Sequence, residues 1–265
     1  MAFLDDIGST WVHAGCGTRL RPPLSPEQYA SFDFAPMDNV RGHDESECGS
    51  PRPLAVFERI HMTSEPIRDP RTDSLLTPQN AALVVIDYQP SQIQTVRSMD
   101  HDLLLDNIVS VARLGKTYGL PIVLSTVNVA NGQGPTLPEL KAVLSDSDEI
   151  DRTQINSWED VDFRRAVEAT GRKKLIMAAL WTEVCLAFPT LDALREGFEI
   201  YPVVDAVGGT SPEAHRAGLE RIVQAGAQPI SWVSLACELQ RDWARVETVP
   251  DVVDIVLTTR LLKSA

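Results

Sequence analysis

From residue 78 onward, apolar and polar positions alternate between two regular patterns. Ala81–Ile86 is an unbroken apolar run flanked by polar residues, as expected of a parallel strand buried on both faces. Leu104, Ile108, Val111, Ala112 and Gly115 then recur at helical spacing. Residues 121–126 predict a second strand, followed by a loop with Gly and Pro from Asn128 to Pro138. A short helix is expected around residues 139–144, and a short third strand ending near Ile150. Residues 161–170 predict a helix stopped by Gly171, and residues 174–180 a fourth strand. The helix after it carries Cys185 and ends at Gly197, and residues 199–204 predict a fifth strand. Ser211 and Pro212 form an N-cap and first-position pair that opens another helix, closed by Gly226. A sixth strand over 229–233 and a last helix over 236–245 complete the pattern.

Strands that alternate with helices predict an α/β fold of three layers (α/β/α). It is a doubly wound, Rossmann-like arrangement with a six-stranded parallel sheet in the order 3-2-1-4-5-6. In this order strands 1 and 4 are neighbours where the strand order reverses, and ligands of such sheets bind beyond the carboxyl ends at that point. Asp87 ends strand 1 and Cys185 follows strand 4. The fold class alone therefore predicts a carboxylate beside a thiol.

Residues 1–77 have a different character. Prolines and charges are frequent, as in Arg21-Pro22-Pro23 and His43-Asp44-Glu45-Ser46-Glu47, and neither period is sustained. The expected organisation is a loosely ordered N-terminal extension over 1–77, a domain over 78–246 and a tail over 247–265. Gly15-Cys16-Gly17 follows no predicted strand and lacks a third glycine, so it is not read as a nucleotide loop. The tail, from Val249 through Val252, Val253, Ile255 and Leu257 to Leu262, is more apolar than a free terminus. That predicts packing on its own domain or against a second copy.

Composition narrows the function classes. Of 265 residues 43% are hydrophobic, and the formal net charge is −13 at pH 7. Such a surface repels phosphate backbones and anionic lipids, so neither nucleic acid nor membrane is an expected partner. The four cysteines, Cys16, Cys48, Cys185 and Cys237, include no CxxC pair. No apolar run reaches the roughly 18 residues of a spanning helix. Residues 1–6 lack the basic start of a signal peptide, and a reducing, cytoplasmic compartment is expected. The histidines His13, His43, His61, His101 and His215 have no metal-ligand spacing, so neither metal nor cofactor is expected. G-x-S-x-G and GxxxxGK[ST] motifs are absent.

Cys185 is the residue with the most chemistry to offer. Thr182 reads as the N-cap of a helix whose first turn holds the thiol, where unpaired N–H groups and the macrodipole favour a thiolate. It reads equally as a small core residue. Asp87 is open to a second reading as a strand-end cap or an ion-pair partner, and Arg152 to one as a surface charge. Trp158 and Trp181 are either core aromatics or pocket walls. Gln89 and Asn156 are candidate polar pocket groups.

Val84-Val85-Ile86-Asp87-Tyr88-Gln89 resembles the first-strand motif of the isochorismatase-like hydrolases, and Trp181-Thr182-Glu183-Val184-Cys185-Leu186-Ala187-Phe188-Pro189 resembles their nucleophile segment. Gly134-Pro135-Thr136-Leu137-Pro138-Glu139-Leu140, Asp151-Arg152-Thr153-Gln154-Ile155-Asn156-Ser157-Trp158 and Ala236-Cys237-Glu238-Leu239-Gln240-Arg241-Asp242-Trp243 bring the likeness closest to the YcaC-like branch. It extends over residues 78–246. The resemblance implies a cysteine hydrolase acting on C–N bonds of small amides, ureides or carbamoyl compounds through a thioester. Its triad would be Asp87, Arg152 and Cys185, with arginine where the family usually has lysine. It also implies a cis peptide at Trp181–Thr182, an oxyanion site at the backbone around Thr182 and Cys185, a pocket including Gln89, Asn156, Trp158 and Phe188, and a homo-oligomer. The non-hydrolytic alternatives are a metabolite binder and a redox sensor that uses Cys185.

Overall fold

The computed structural model describes residues 68–258. Expectations for residues 1–67, including Cys16, Cys48, His13, His43 and His61, lie outside them. The described strands are β1 (Ala81–Ile86), β2 (Ile122–Val127), β3 (Glu149–Arg152), β4 (Lys174–Ala179) and β5 (Glu199–Pro202). All pair in parallel, in the order β3-β2-β1-β4-β5. The helices are α1 (Pro90–Ile93), α2 (His101–Thr117), α3 (Pro138–Val143), α4 (Val161–Ala169), α5 (Ala187–Arg195), α6 (Pro212–Gln224), α7 (Trp232–Gln240) and α8 (Val249–Thr258).

The sheet has five strands where six were expected. Residues 229–233 retain only a parallel bridge between Val203 and Ile230, supported by Ile230 N–H to Pro202 O at 3.0 Å and Val204 N–H to Ile230 O at 2.9 Å. The reason is local. Pro229 has no N–H to give, and the Ser231 hydroxyl already accepts from Ser234 N–H at 3.2 Å, which starts α7 at Trp232. α7 accordingly begins before the expected Ala236. It stops at Gln240, because Arg241 has a left-handed φ of 63°.

Burial follows from the apolar runs. All six residues of β1 and of β4 are buried, as central strands covered on both sides must be. α2 starts where the Asp100 carboxylate accepts from Leu103 N–H at 2.9 Å, and it turns Leu104, Ile108 and Val111 onto the sheet. Gly115 sets how closely it approaches: a Cβ there would lie 2.9 Å from Leu83 Cδ2. Ser211 caps α6 by accepting from Ala214 N–H at 3.0 Å, with Pro212 in the first position as expected.

One boundary differs from expectation, and the tail takes one of its two expected positions. Residues 68–77 do not behave as the end of a loose extension. Leu76 is fully buried, its N–H donates to Glu238 Oε2 at 2.7 Å, and Asn80 Oδ1 accepts from Thr77 N–H at 2.9 Å. Lys174 Nζ at the start of β4 donates to the Asp73 and Ser74 carbonyls, both at 2.7 Å. At the other end, the tail helix α8 lies on α2 of its own chain. Val252 and Ile255 are buried, and Arg113 pairs with Asp254 at 2.5 Å. Val253 and Leu257, on the outer side, are exposed.

Truncating Ile255 to alanine should therefore lower stability by about 2–5 kcal/mol, the usual cost of emptying a buried aliphatic site. Urea unfolding measures this, and an unchanged midpoint would mean that α8 does not pack on α2.

Candidate functional site

The registers bring the chemistry together. Ile86 of β1 lies between Ser125 of β2 and Ala179 of β4, so Asp87 projects just past the carboxyl edge of the sheet. Its φ of 61° is left-handed, a conformation that aspartate tolerates better than most residues. The turn is held by Asp87 N–H to Ser125 O at 2.9 Å and Gln89 N–H to Asp87 O at 2.8 Å. β3 runs to Arg152, two residues beyond the predicted end, and pairs Arg152 with Val127. That extension delivers the guanidinium to the carboxylate. Arg152 Nη1 donates to Asp87 Oδ1 at 2.7 Å and Nη2 to Oδ2 at 2.8 Å, with both side chains fully buried. Nη1 also donates to Thr126 O at 2.9 Å. Arg152 is therefore no surface charge.

Cys185 completes the group. Its thiol is buried next to the Asp87 carboxylate, and the Trp181 backbone N–H lies near the sulfur. Burial, followed by the charge and hydrogen bond of Asp87, pushes the thiol well above its ordinary range, and the Arg152 charge does not compensate. The expected shift toward a thiolate is thus reversed in direction. Burial also raises the Asp87 carboxyl, opposed by the Arg152 hydrogen bonds and charge, which makes it more basic than a solvated carboxylate. Burial works against the Arg152 charge as well, but the Asp87 bonds more than offset it and the guanidinium holds its proton more tightly than usual.

The turn around Cys185 differs from expectation in three ways. Thr182–Leu186 is a π-helical turn rather than the first turn of α5. Thr182 does not cap it, since its hydroxyl pairs with His215 Nδ1 at 2.8 Å. The cis peptide is Leu180–Trp181, one bond earlier than the resemblance implied. Thr182 N–H is unavailable to an oxyanion because it donates to Gly208 O at 2.9 Å. The Trp181 indole is anchored by Nε1, which donates to Thr95 Oγ1 at 2.8 Å and Gln92 O at 3.2 Å.

The expected pocket residues lie elsewhere. Gln89 is fully buried and its amide is already engaged. Nε2 donates to the Val127 and Gly134 carbonyls at 3.0 and 2.6 Å, and Oε1 accepts from Val127 N–H at 2.9 Å. Trp158 is a core aromatic, edge-on to Phe163 and Phe198 at 6.2 and 5.4 Å between ring centroids. Asn156 caps the Ser157–Glu159 turn by accepting from Trp158 N–H at 3.1 Å, and it donates to Asp192 Oδ2 at 2.8 Å. Asn156 and Phe188 line a cleft of about 590 Å³ with Asp192 and Arg221, and no triad residue borders it. Another cavity of about 560 Å³, lined by Asp73, Thr77, Tyr118 and Arg241, sits at the amino end of the sheet. His215, considered in the sequence only as a metal ligand, gives no sign there of this contact, because its partner is 33 residues away with no spacing signal to connect them. Among the described residues, no group of three or more His, Cys, Asp or Glu side chains could hold a metal ion, and no helix is long and apolar enough to cross a membrane.

The chain is similar to known proteins over this same region. The isochorismatase domain family matches residues 81–234. The Escherichia coli (strain K12) protein named "Probable hydrolase YcaC" is 41% identical over 169 residues, which cover 63% of this chain and 81% of that protein. The structure of YcaC from Pseudomonas aeruginosa with hexane-2,5-diol and covalent acrylamide is 36% identical. It aligns with a TM-score of 0.68 and covers 73% of this chain and 98% of that one. The Escherichia coli YcaC structure, described as an octameric hydrolase of unknown specificity, is also 36% identical, with a TM-score of 0.63 and coverage of 72% and 98%. Fold, motif order and sequence agree: the chain belongs to the isochorismatase family and is a hydrolase of its YcaC-like branch.

Proposed function

We propose that this hydrolase cleaves the C–N bond of a small amide, ureide or carbamoyl compound through a thioester on Cys185. The observation that carries the proposal is the buried Asp87 carboxylate, gripped by Arg152 in two hydrogen bonds and set beside the buried Cys185 thiol. Arginine cannot release its proton, so Arg152 supplies a fixed charge and Asp87 carries the proton. In the forward step Asp87 takes the Sγ proton as sulfur bonds to the carbonyl carbon, and the C=O pair moves onto oxygen. Trp181 N–H, which lies near the sulfur, would be the donor that stabilises that oxygen. Collapse breaks the C–N bond, and the amine leaves with the proton from Asp87. Water then gives a proton to Asp87 and adds to the thioester. The C–S bond breaks, and the proton returns to sulfur. The covalent acrylamide on the Pseudomonas aeruginosa relative supports a reactive thiol, since acrylamide is a thiol-selective electrophile. The raised titration of Cys185 argues against the redox-sensor reading, which needs a low-pKa thiolate.

We also propose that the chain self-assembles, with the exposed Val253 and Leu257 of α8 in a contact between copies. The octameric relative supports this. Light scattering at micromolar concentration should show an oligomer, and a monomer would refute it.

The proton path predicts a distinctive pH profile. Moving a proton from Cys185 to Asp87 leaves the pair's proton count unchanged. Alkylation of wild-type Cys185 by iodoacetamide should therefore stay nearly flat from about pH 6 to 8, and fall only where Asp87 itself protonates. In Asp87→Asn the thiol must ionise to solvent, so the rate should climb about tenfold per pH unit over that range. A wild-type rate with the same slope as the variant would remove Asp87 as the base.

A panel of amides, ureides and carbamoyl compounds, followed by mass spectrometry, should trap an acyl adduct on Cys185. Asp87→Asn should reduce turnover of any substrate found by about 10²–10⁴. Hydrolysis that survives Cys185→Ala would overturn the thioester route.

A further inference from the structure

Outside the Asp87, Arg152 and Cys185 group, the structure holds a second set of polar contacts, part-buried to exposed, that converge on the turn before Cys185. Thr182 Oγ1 and His215 Nδ1 are 2.8 Å apart, and the Thr182 side chain is fully buried. Thr182 N–H is held by Gly208 O. On the next residue, Glu183 Oε1 accepts from Thr210 N–H at 3.0 Å and from Thr210 Oγ1 at 2.6 Å. His215 is itself fixed at the start of α6, where its N–H donates to Ser211 O at 3.0 Å. The helix comes this close only because residue 218 is glycine. A Cβ there would lie 2.9 Å from Glu183 Cα and 3.1 Å from the Thr182 carbonyl carbon. The contacts run from the stretch 208–218 to residues 182 and 183, just before Cys185, and none of them reaches the sulfur.

We infer that His215 is a positioning residue of the reaction: through its ring bond to Thr182 it fixes the turn that aims Cys185 at Asp87. The inference rests on Cys185 being the nucleophile. The turn that carries Cys185 is π-helical, a departure from regular helix geometry that is frequent at functional sites. Bonds from outside the turn add to its own backbone bonds in setting where the sulfur lies. Burial pushes the His215 imidazole below its ordinary range, against the opposing pull of the Glu183 carboxylate, and so favours the neutral ring, whose Nδ1 shares a hydrogen bond with the Thr182 hydroxyl. A turn freed to shift by about an ångström would break the alignment of thiol and carboxylate, and shifts of that size cost up to about a hundredfold in rate.

The test reads Cys185 directly and needs no known substrate. The second-order rate of Cys185 alkylation by iodoacetamide at pH 7 is followed by peptide mass spectrometry, which separates it from the exposed Cys237. His215→Ala should slow alkylation about tenfold or more, and Thr182→Val should do the same. His215→Asn, which keeps a polar atom near the Nδ1 position, and Thr182→Ser, which keeps the hydroxyl, should restore most of the rate. The His215→Ala, Thr182→Val double variant should be no slower than either single one, because both remove the same bond. The proposal is overturned if His215→Ala reacts as fast as wild type, if the conservative variants rescue nothing, or if the two losses multiply. An inert wild-type Cys185 would instead bring down the nucleophile reading and this one with it, which keeps the two failures distinct.

Discussion

The site depends on one buried ion pair. Two carboxylate oxygens of Asp87 meet two guanidinium nitrogens of Arg152 at 2.7 and 2.8 Å, with neither side chain exposed to water. Removing a charge pair from water is costly, and fork-to-fork geometry is the arrangement that best offsets the penalty. The rest of the local structure keeps that geometry in place. β3 extends to residue 152, the Thr126 carbonyl takes a further Arg152 N–H, and Asp87 accepts a left-handed backbone. An ordinary strand end would leave both charges solvated and the thiol without a basic partner.

This pair also explains why arginine can stand where lysine is usual for the family. A lysine ammonium is a compact point charge that can exchange a proton when buried. Arg152 is instead a planar fork that keeps its proton. It fixes both Asp87 oxygens and stays charged, so in the proposed reaction only Asp87 and Cys185 would exchange a proton, beside a permanent cation.

How much of this was legible in the sequence varied with the kind of signal. Asp87 and Cys185 were accessible because apolar runs mark strand ends, and the doubly wound order makes strands 1 and 4 neighbours. The burial of Arg152 was not, because no local pattern distinguishes a guanidinium at a sheet edge from one in solvent. Gln89, Asn156 and Trp158 were misplaced for a related reason. Residue type shows what a side chain can bond, but not whether the backbone has already claimed it. The Gln89 amide is taken up by Val127 and Gly134, and Asn156 by its own turn and Asp192. The Thr182–His215 bond spans 33 residues and two elements, beyond any periodicity. The shortened sixth strand turned on competition between Pro229, Ser231 and the start of α7, where apolar pattern and capping chemistry pull in opposite directions.

The Gln89 clamp has a bearing on how such a site can diversify. Its amide joins the end of β2 to Gly134, so the loop that follows β2 is tied down at both of its ends, two residues from Asp87. Between these anchors the loop stays coupled to the ion pair at its start, because Asn128 N–H donates to Arg152 O at 2.7 Å and Val129 N–H to Asp151 Oδ1 at 3.2 Å. The exposed stretch from Ala130 to Gly132 is free of such ties to β3. A lineage could therefore vary those three positions while the backbone that carries Arg152 keeps its place.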